Sequence, residues 1–237
     1  MNKFIGIIIC VVLLTGCSGM FNVVKKDTVM VKKTTSAQEK SEVEYEGVLT
    51  ADAVKTLSLN AVHKYFGVEL AKEEVQIELM TIDQNKLQDM LDIIILKFER
   101  GSEINTKTEL AKIPNGLFEI MLTQIANPEE VYYFILNAQS GDVLKASKGE
   151  SNLYSLEQGA EQAETLEIAN QFIREKGSYA LSDLTMTWQV KRGEFIREYY
   201  YMNKDTKALS YSVVVSEKTE QVIGMNKDLM AILNYFP

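Results

Sequence analysis

Two stretches of the chain, Phe134–Ser147 (FILNAQSGDVLKAS) and Val213–Asn226 (VVVSEKTEQVIGMN), follow one plan. Each runs an alternating apolar strand into a small polar turn and leaves it on Val-Leu or Val-Ile. Tyr132, Phe134, Leu136 and Val143 align with Tyr211, Val213, Val215 and Val222 at a constant offset of 79 residues. An internal repeat of this length limits the fold to two copies of one supersecondary unit, because two copies are too few for a solenoid. Upstream of each stretch lies a helix-period segment. Thr50 is a candidate N-cap, Val54, Leu57, Ala61, Val62 and Tyr65 form an apolar stripe, and Gly67 is a stop signal. Leu156–Lys176 repeats this plan, with Ala160, Ala163, Leu166, Ala169 and Ile173 inward and Gly177 at the end. Glu157, Glu161 and Glu164 would share its outer, solvated face.

Short alternating runs separated by polar turns follow both helices: VQIELMTI, GLFEIMLTQI, VYYFILNA and DVLKA in the first half, and LSDLTMTWQVK, FIREYYYM, ALSYSVVV and QVIGM in the second. These are the marks of antiparallel meanders. The predicted fold class is therefore α+β: two similar units, each a helix followed by an antiparallel β-meander packed on it. The expected first unit spans residues 49–150 and the second residues 151–237. The helix-ending glycines lie 110 residues apart, against 79 for the hairpins, so the first unit carries about 31 extra residues, placed between Asp83 and Pro114. Within that insertion Leu87, Leu91, Ile94 and Phe98 fit a helix, whereas Ile93-Ile94-Ile95 favours a strand. A short helical turn followed by a strand over Asp92–Glu99 is expected.

Both cysteines, Cys10 and Cys17, lie near the N-terminus, so the repeat region has no disulfide, thiol nucleophile or cysteine-based metal site. Phe4–Leu14 is an eleven-residue apolar run after Lys3, too short to span a bilayer as a helix and of signal-peptide size. It ends on Leu14-Thr15-Gly16-Cys17, which resembles the lipobox of bacterial lipoproteins at all four positions. The resemblance implies cleavage before Cys17, lipid on its thiol and acylation of the new N-terminus. Two or more acyl chains anchor stably where one does not. Residues 1–16 then form a signal peptide and residues 17–48 a flexible tether, whose Lys25, Lys26, Lys32 and Lys33 lie near the anchor. The expected location is the extracytoplasmic face of the cell membrane.

The hairpin YYFILNAQSGDVL is similar to PepSY-type domains, which typically read Tyr-x-Val-x-Asp-Ala-x-Thr-Gly-Glu-Val-Leu. Asn137 stands where Asp is usual. The second copy, YSVVVSEKTEQVI, keeps Thr219 but has Glu220 where the turn glycine belongs. The resemblance implies a secreted or membrane-attached protein that inhibits proteases or regulates the envelope, with no shared catalytic residues.

Net charge is −8 and becomes −9 once Lys3 leaves with residues 1–16, which disfavours a nucleic-acid partner. His63, the single histidine, falls opposite the apolar stripe of its helix and is expected to face solvent, where a general base lacks an orienting partner. No phosphate loop, calcium loop or nucleophile elbow occurs, and no cofactor is expected. Alternation puts Tyr199 and Tyr201 on one sheet face and Tyr200 on the other, as a partner-binding surface or as cross-strand packing, with Trp188 joining the cluster. The expected function is a non-catalytic protein-interaction or regulatory module that meets the membrane through Cys17 and binds another envelope protein. A carrier of a small apolar ligand is the alternative, and an envelope hydrolase the third.

Overall fold

The computed structural model describes residues 47–97, 106–149, 156–157 and 163–235. Cys17, the tether to residue 46, Ala160 and Glu161 lie outside them. The chain is α+β, as expected. Helix α1 (Ala51–Phe66) precedes β1 (Val75–Ile82), α2 (Gln84–Lys97), α3 (Thr106–Ala111), β2 (Leu117–Gln124), β3 (Val131–Asn137) and β4 (Val143–Lys148). Strand β5 (Leu156–Glu157), helix α4 (Ala163–Lys176), β6 (Leu184–Arg192), β7 (Ile196–Asn203), β8 (Leu209–Ser216), β9 (Gln221–Lys227) and α5 (Leu229–Tyr235) complete it. The nine strands of the described residues form one antiparallel sheet in the order β1-β2-β3-β4-β9-β8-β7-β6-β5.

The order shows how the copies meet. Last strand pairs with last strand: Lys145 opposite Asn226, Ala146 opposite Met225, and Ser147 opposite Gly224. Ala146 and Met225 are themselves equivalent at offset 79, so a pseudo-two-fold axis crosses the sheet between them. This is an isologous contact inside one chain. The repeat extends to defects: β3–β4 shifts register between Ile135 and Leu136, and β8–β9 shifts between Val214 and Val215, again 79 residues on.

Each copy's helix packs on the same face of the sheet. In α1 the Thr50 hydroxyl accepts from Ala53 N–H at 3.3 Å, and Gly67, at φ 71°, closes the helix by donating to the His63 carbonyl at 2.9 Å. Val54, Ser58, Ala61, Val62 and Tyr65 are buried, and Ser58 satisfies its hydroxyl on the Val54 carbonyl at 2.7 Å. Helix α4 buries Thr165, Ala169, Phe172 and Ile173 beside it, with Tyr65 and Phe172 rings 6.1 Å apart. One core joins both helices to Phe118, Ile120, Leu122, Tyr132, Phe134, Leu136, Tyr199, Tyr201, Tyr211, Val213 and Val215.

Of the helix expected from Leu156, the described residues show Ala163–Lys176 as helical. Leu156 and Glu157 instead pair with Arg192 and Lys191, because the edge of β6 offers backbone groups that a two-residue strand can satisfy. Ala163 is exposed, and Thr165 takes an inward place. The strand expected over Asp92–Glu99 is also corrected: α2 continues through Lys97, and Phe98 and Glu99 lie outside the described residues. Leu87 and Leu91, four apart, bury against Ile82, Leu117 and Ile135 on the second sheet face, and that tertiary contact outweighs the β-branched run. Helices α2 and α3 lie between β1 and β2, and with α5 they cover the sheet face that α1 and α4 leave open.

Candidate binding site

The second face of the sheet is apolar over β1–β3 and polar toward β7–β9. Its polar centre is Glu198 on β7, fully buried. Glu198 pairs with the buried Arg192 of β6 and accepts from Ser212 Oγ at 2.7 Å, Asn234 Nδ2 at 2.6 Å and Asn226 Nδ2 at 3.4 Å. Arg192 also donates to Tyr200 OH at 2.9 Å and to the Asn234 carbonyl at 3.2 Å, which ties the end of α5 to the sheet. Burial opposes the Arg192 charge, but Glu198 and Tyr200 more than offset it and raise its pKa. Burial, followed by the Glu198 charge, raises that of Tyr200. A buried ion pair survives only with such satisfied neighbours.

Beside this network lies a cavity of about 60 Å³ walled by Lys145, Ser147, Arg192, Glu198, Asn226 and Asn234. Its volume and polar lining suit a few waters. Lys145 and Ser147 project from β4 two residues apart on one face. The Lys145 ammonium sits 5.1 Å from the Tyr133 ring centroid, and among the described residues it makes no ion pair within 4.0 Å and no hydrogen bond. Burial pulls its pKa below the ordinary lysine range, with partial restoration by Glu198 and Glu119 and a further push down from Arg192. Ser147 Oγ is buried without a hydrogen-bond partner among the described residues.

Lys145 and Asn234 also line a second, larger cleft of about 370 Å³ between α2, α5 and β1–β4. Ile82, Leu87, Met90, Leu117, Met230 and Leu233 make its apolar wall. Glu119 and Tyr133 sit at its polar end, joined by a 2.8 Å hydrogen bond. The ensemble is equipped to bind. No hydrogen bond joins Lys145 to Ser147, so the pair lacks the contact that activates a serine nucleophile. Among the described residues no group of three or more His, Cys, Asp or Glu side chains is placed to hold a metal.

The residues singled out from sequence lie elsewhere. His63 is exposed on α1, 3.8 Å from Glu69. Tyr199, Tyr200 and Tyr201 are 0%, 1% and 1% exposed, so the expected tyrosine surface is corrected to core. Tyr199 and Tyr201 join the core under the helices, and Tyr200 packs edge-on against Tyr235 of α5 at 5.1 Å on the opposite face. Both faces of β7 are covered, and that is why none is left for a partner. Trp188 lies opposite Tyr200 on the neighbouring strand. Lys145, Ser147, Arg192, Glu198, Asn226 and Asn234 went unmarked in the sequence. Their signal was the alternation itself, which puts the acid of REYYY on the same face as Tyr200 inside a strand covered on both sides.

No protein-family model and no curated protein sequence matches the chain. Among solved structures it is similar to the Bacillus megaterium YpeB C-terminal domain, with 10% identity and a TM-score of 0.46 over 77% of this chain. The chain spans 65% of that protein's length.

Proposed function

We propose that the chain is a lipid-anchored module on the extracytoplasmic face of the cell membrane that acts by binding another envelope protein rather than by catalysis. Anchoring rests on Leu14-Thr15-Gly16-Cys17, and the regulatory character on the two PepSY-like hairpins. The observation that carries the binding role is strand β1. It is the terminal strand of the sheet, eight residues long, and its outer edge is unpaired among the described residues. Gln76, Glu78 and Met80 are exposed along it, Met80 by 58%. An open edge of this length is a template for an added strand. The occupant is an extended segment of an envelope protein. A photo-crosslinking residue at Met80 should capture one dominant membrane-associated protein in cells. The pair Glu78→Lys and Met80→Lys should abolish that capture without lowering Tm, and Cys17→Ser should remove both lipid labelling and membrane retention. Equal capture by the lysine variant would refute the edge, and unchanged fractionation of Cys17→Ser would refute the anchor.

The cleft of about 370 Å³ favours a second reading, a carrier or sensor of a small apolar ligand. Its volume is within the range of small-molecule sites.

A further inference from the structure

The cleft is chemically lopsided. One end is aliphatic, and the other presents the Lys145 ammonium, which lies over the Tyr133 ring without an ion pair or hydrogen bond among the described residues. The two carboxylates that act on Lys145 have nearer partners: Glu198 has Arg192, Ser212, Asn226 and Asn234, and Glu119 has the Tyr133 hydroxyl. Lys86 adds a second positive charge at the cleft wall. A half-buried ammonium that makes no direct ion pair is costly to desolvate, and a ligand carboxylate would offset that cost. A ligand that satisfies both ends carries one negative charge with hydrogen-bond acceptors and continues as an apolar chain.

We infer that the cleft between α2, α5 and β1–β4 binds a medium-chain amphiphile ending in a carboxylate, with the carboxylate on Lys145 Nζ and the chain along Leu87, Met90, Met230 and Leu233. A monoanion fits better than a phosphate dianion, because the Lys145 ammonium shares this end with the Glu119 carboxylate and no forked donor of the kind phosphate takes lines it. The inference rests on the carrier reading and adds the head-group chemistry to it.

The test uses the full-length chain in membranes of the cells that make it. The probes are decanoate with a diazirine at its chain end and the matching decanol, with labelled peptides mapped by mass spectrometry. Saturable decanoate labelling of peptides from residues 84–93 and 229–235 is expected, competed by decanoate and not by decanol. Lys145→Met should reduce it about tenfold, the size of one lost charge-assisted hydrogen bond, and Lys145→Arg should restore most of it. Met90→Glu, at an exposed position, should reduce labelling by both probes. Decanoate labelling unaffected by Lys145→Met overturns the inference. Equal labelling by decanol also overturns it while leaving the apolar-carrier reading in place. Absence of saturable labelling by either probe removes both.

Discussion

The turns of the two hairpins carry a matched pair of substitutions with opposite expected signs. Gly141 and Glu220 are equivalent at offset 79, and both are in the left-handed region, at φ 73° and 54°. A Cβ at Gly141 would lie 2.6 Å from Leu57 Cδ1 and 3.1 Å from Leu49 Cδ1. Gly141→Ala therefore meets backbone strain of roughly 1–2 kcal/mol and overpacking of about 1 kcal/mol, at the low end because the half-buried Leu57 methyl is able to turn aside. The restricted unfolded chain returns roughly 0.4–1 kcal/mol. The net expectation is a loss of about 2 kcal/mol, which lowers Tm by about 4–8 °C for a domain of this size. Glu220 is exposed, so no packing term enters. Glu220→Gly releases the same strain and loses about 0.5–1 kcal/mol to backbone entropy, for a gain of up to about 1 kcal/mol and about 1–4 °C. Urea unfolding at constant m resolves both shifts, and Leu57→Ala combined with Gly141→Ala separates clash from strain. An unchanged midpoint for Gly141→Ala, or a lowered one for Glu220→Gly, would refute the equivalence of the turns.

Glu198→Ala should cost about 3–5 kcal/mol in the same urea assay, because it strands the Arg192 guanidinium in a buried site. Burial, first among the causes, pushes Tyr65 up to about 12 and raises Tyr132, Tyr133, Tyr179, Tyr200, Tyr201 and Tyr211 further. Raised tyrosines favour the folded state fully below the unfolded value of about 10, and that stability is lost as pH rises through the folded values. The absorbance of these seven tyrosinates should therefore appear together with loss of circular dichroism, and ionisation of all eleven tyrosines in the folded protein would contradict it. Lys145 is shifted down, so its burial penalty is complete below its folded pKa and relieved as pH rises toward the unfolded value. Lys145→Met should accordingly raise Tm at neutral pH, and an unchanged or lower Tm would mean that the ammonium contributes to folding.

What was legible in the sequence follows what local patterning encodes. The helices and the meanders were readable because Val54, Ala61, Tyr132 and Tyr211 repeat a periodic apolar face whose burial needs no distant information. The helix through Ile93 was not, since its stability depends on Leu87 and Leu91 meeting Ile82 and Leu117 across the second face. The tyrosine run misled for a related reason. Exposure of Tyr200 depends on α5, and nothing local in REYYYM announces that a terminal helix lies over it. Asn137 shows the same dependence within a turn. Its Oδ1 accepts from Gln139 and Ser140 N–H at 2.9 and 3.1 Å, work an aspartate also does, but its Nδ2 donates to the Lys112 carbonyl at 3.0 Å. Only an amide serves both sides, and the second partner follows the insertion helix α3.

The repeat also explains why the binding features cluster near the axis. Equivalent positions under the helices stay apolar in both copies: Tyr132 and Tyr211, Phe134 and Val213, Leu136 and Val215, Ala146 and Met225. On the other face the carboxylates are kept, Glu119 matching Glu198, while their surroundings part. Tyr133 becomes Ser212, Lys145 becomes Gly224 and Ser147 becomes Asn226. In the second copy Ser212 and Asn226 close around Glu198 and donate to its carboxylate, with Asn226 also donating to Ser212 Oγ. In the first, Tyr133 occupies Glu119 alone, and Lys145 and Ser147 are left over. Gly224, opposite Ser147, has no side chain to fill the space between the two central strands. A duplicated fold needs one packed face to hold both copies together, and that face is free to stay symmetric. The second face is released from that demand, and the unpaired cation and hydroxyl occur where the copies differ.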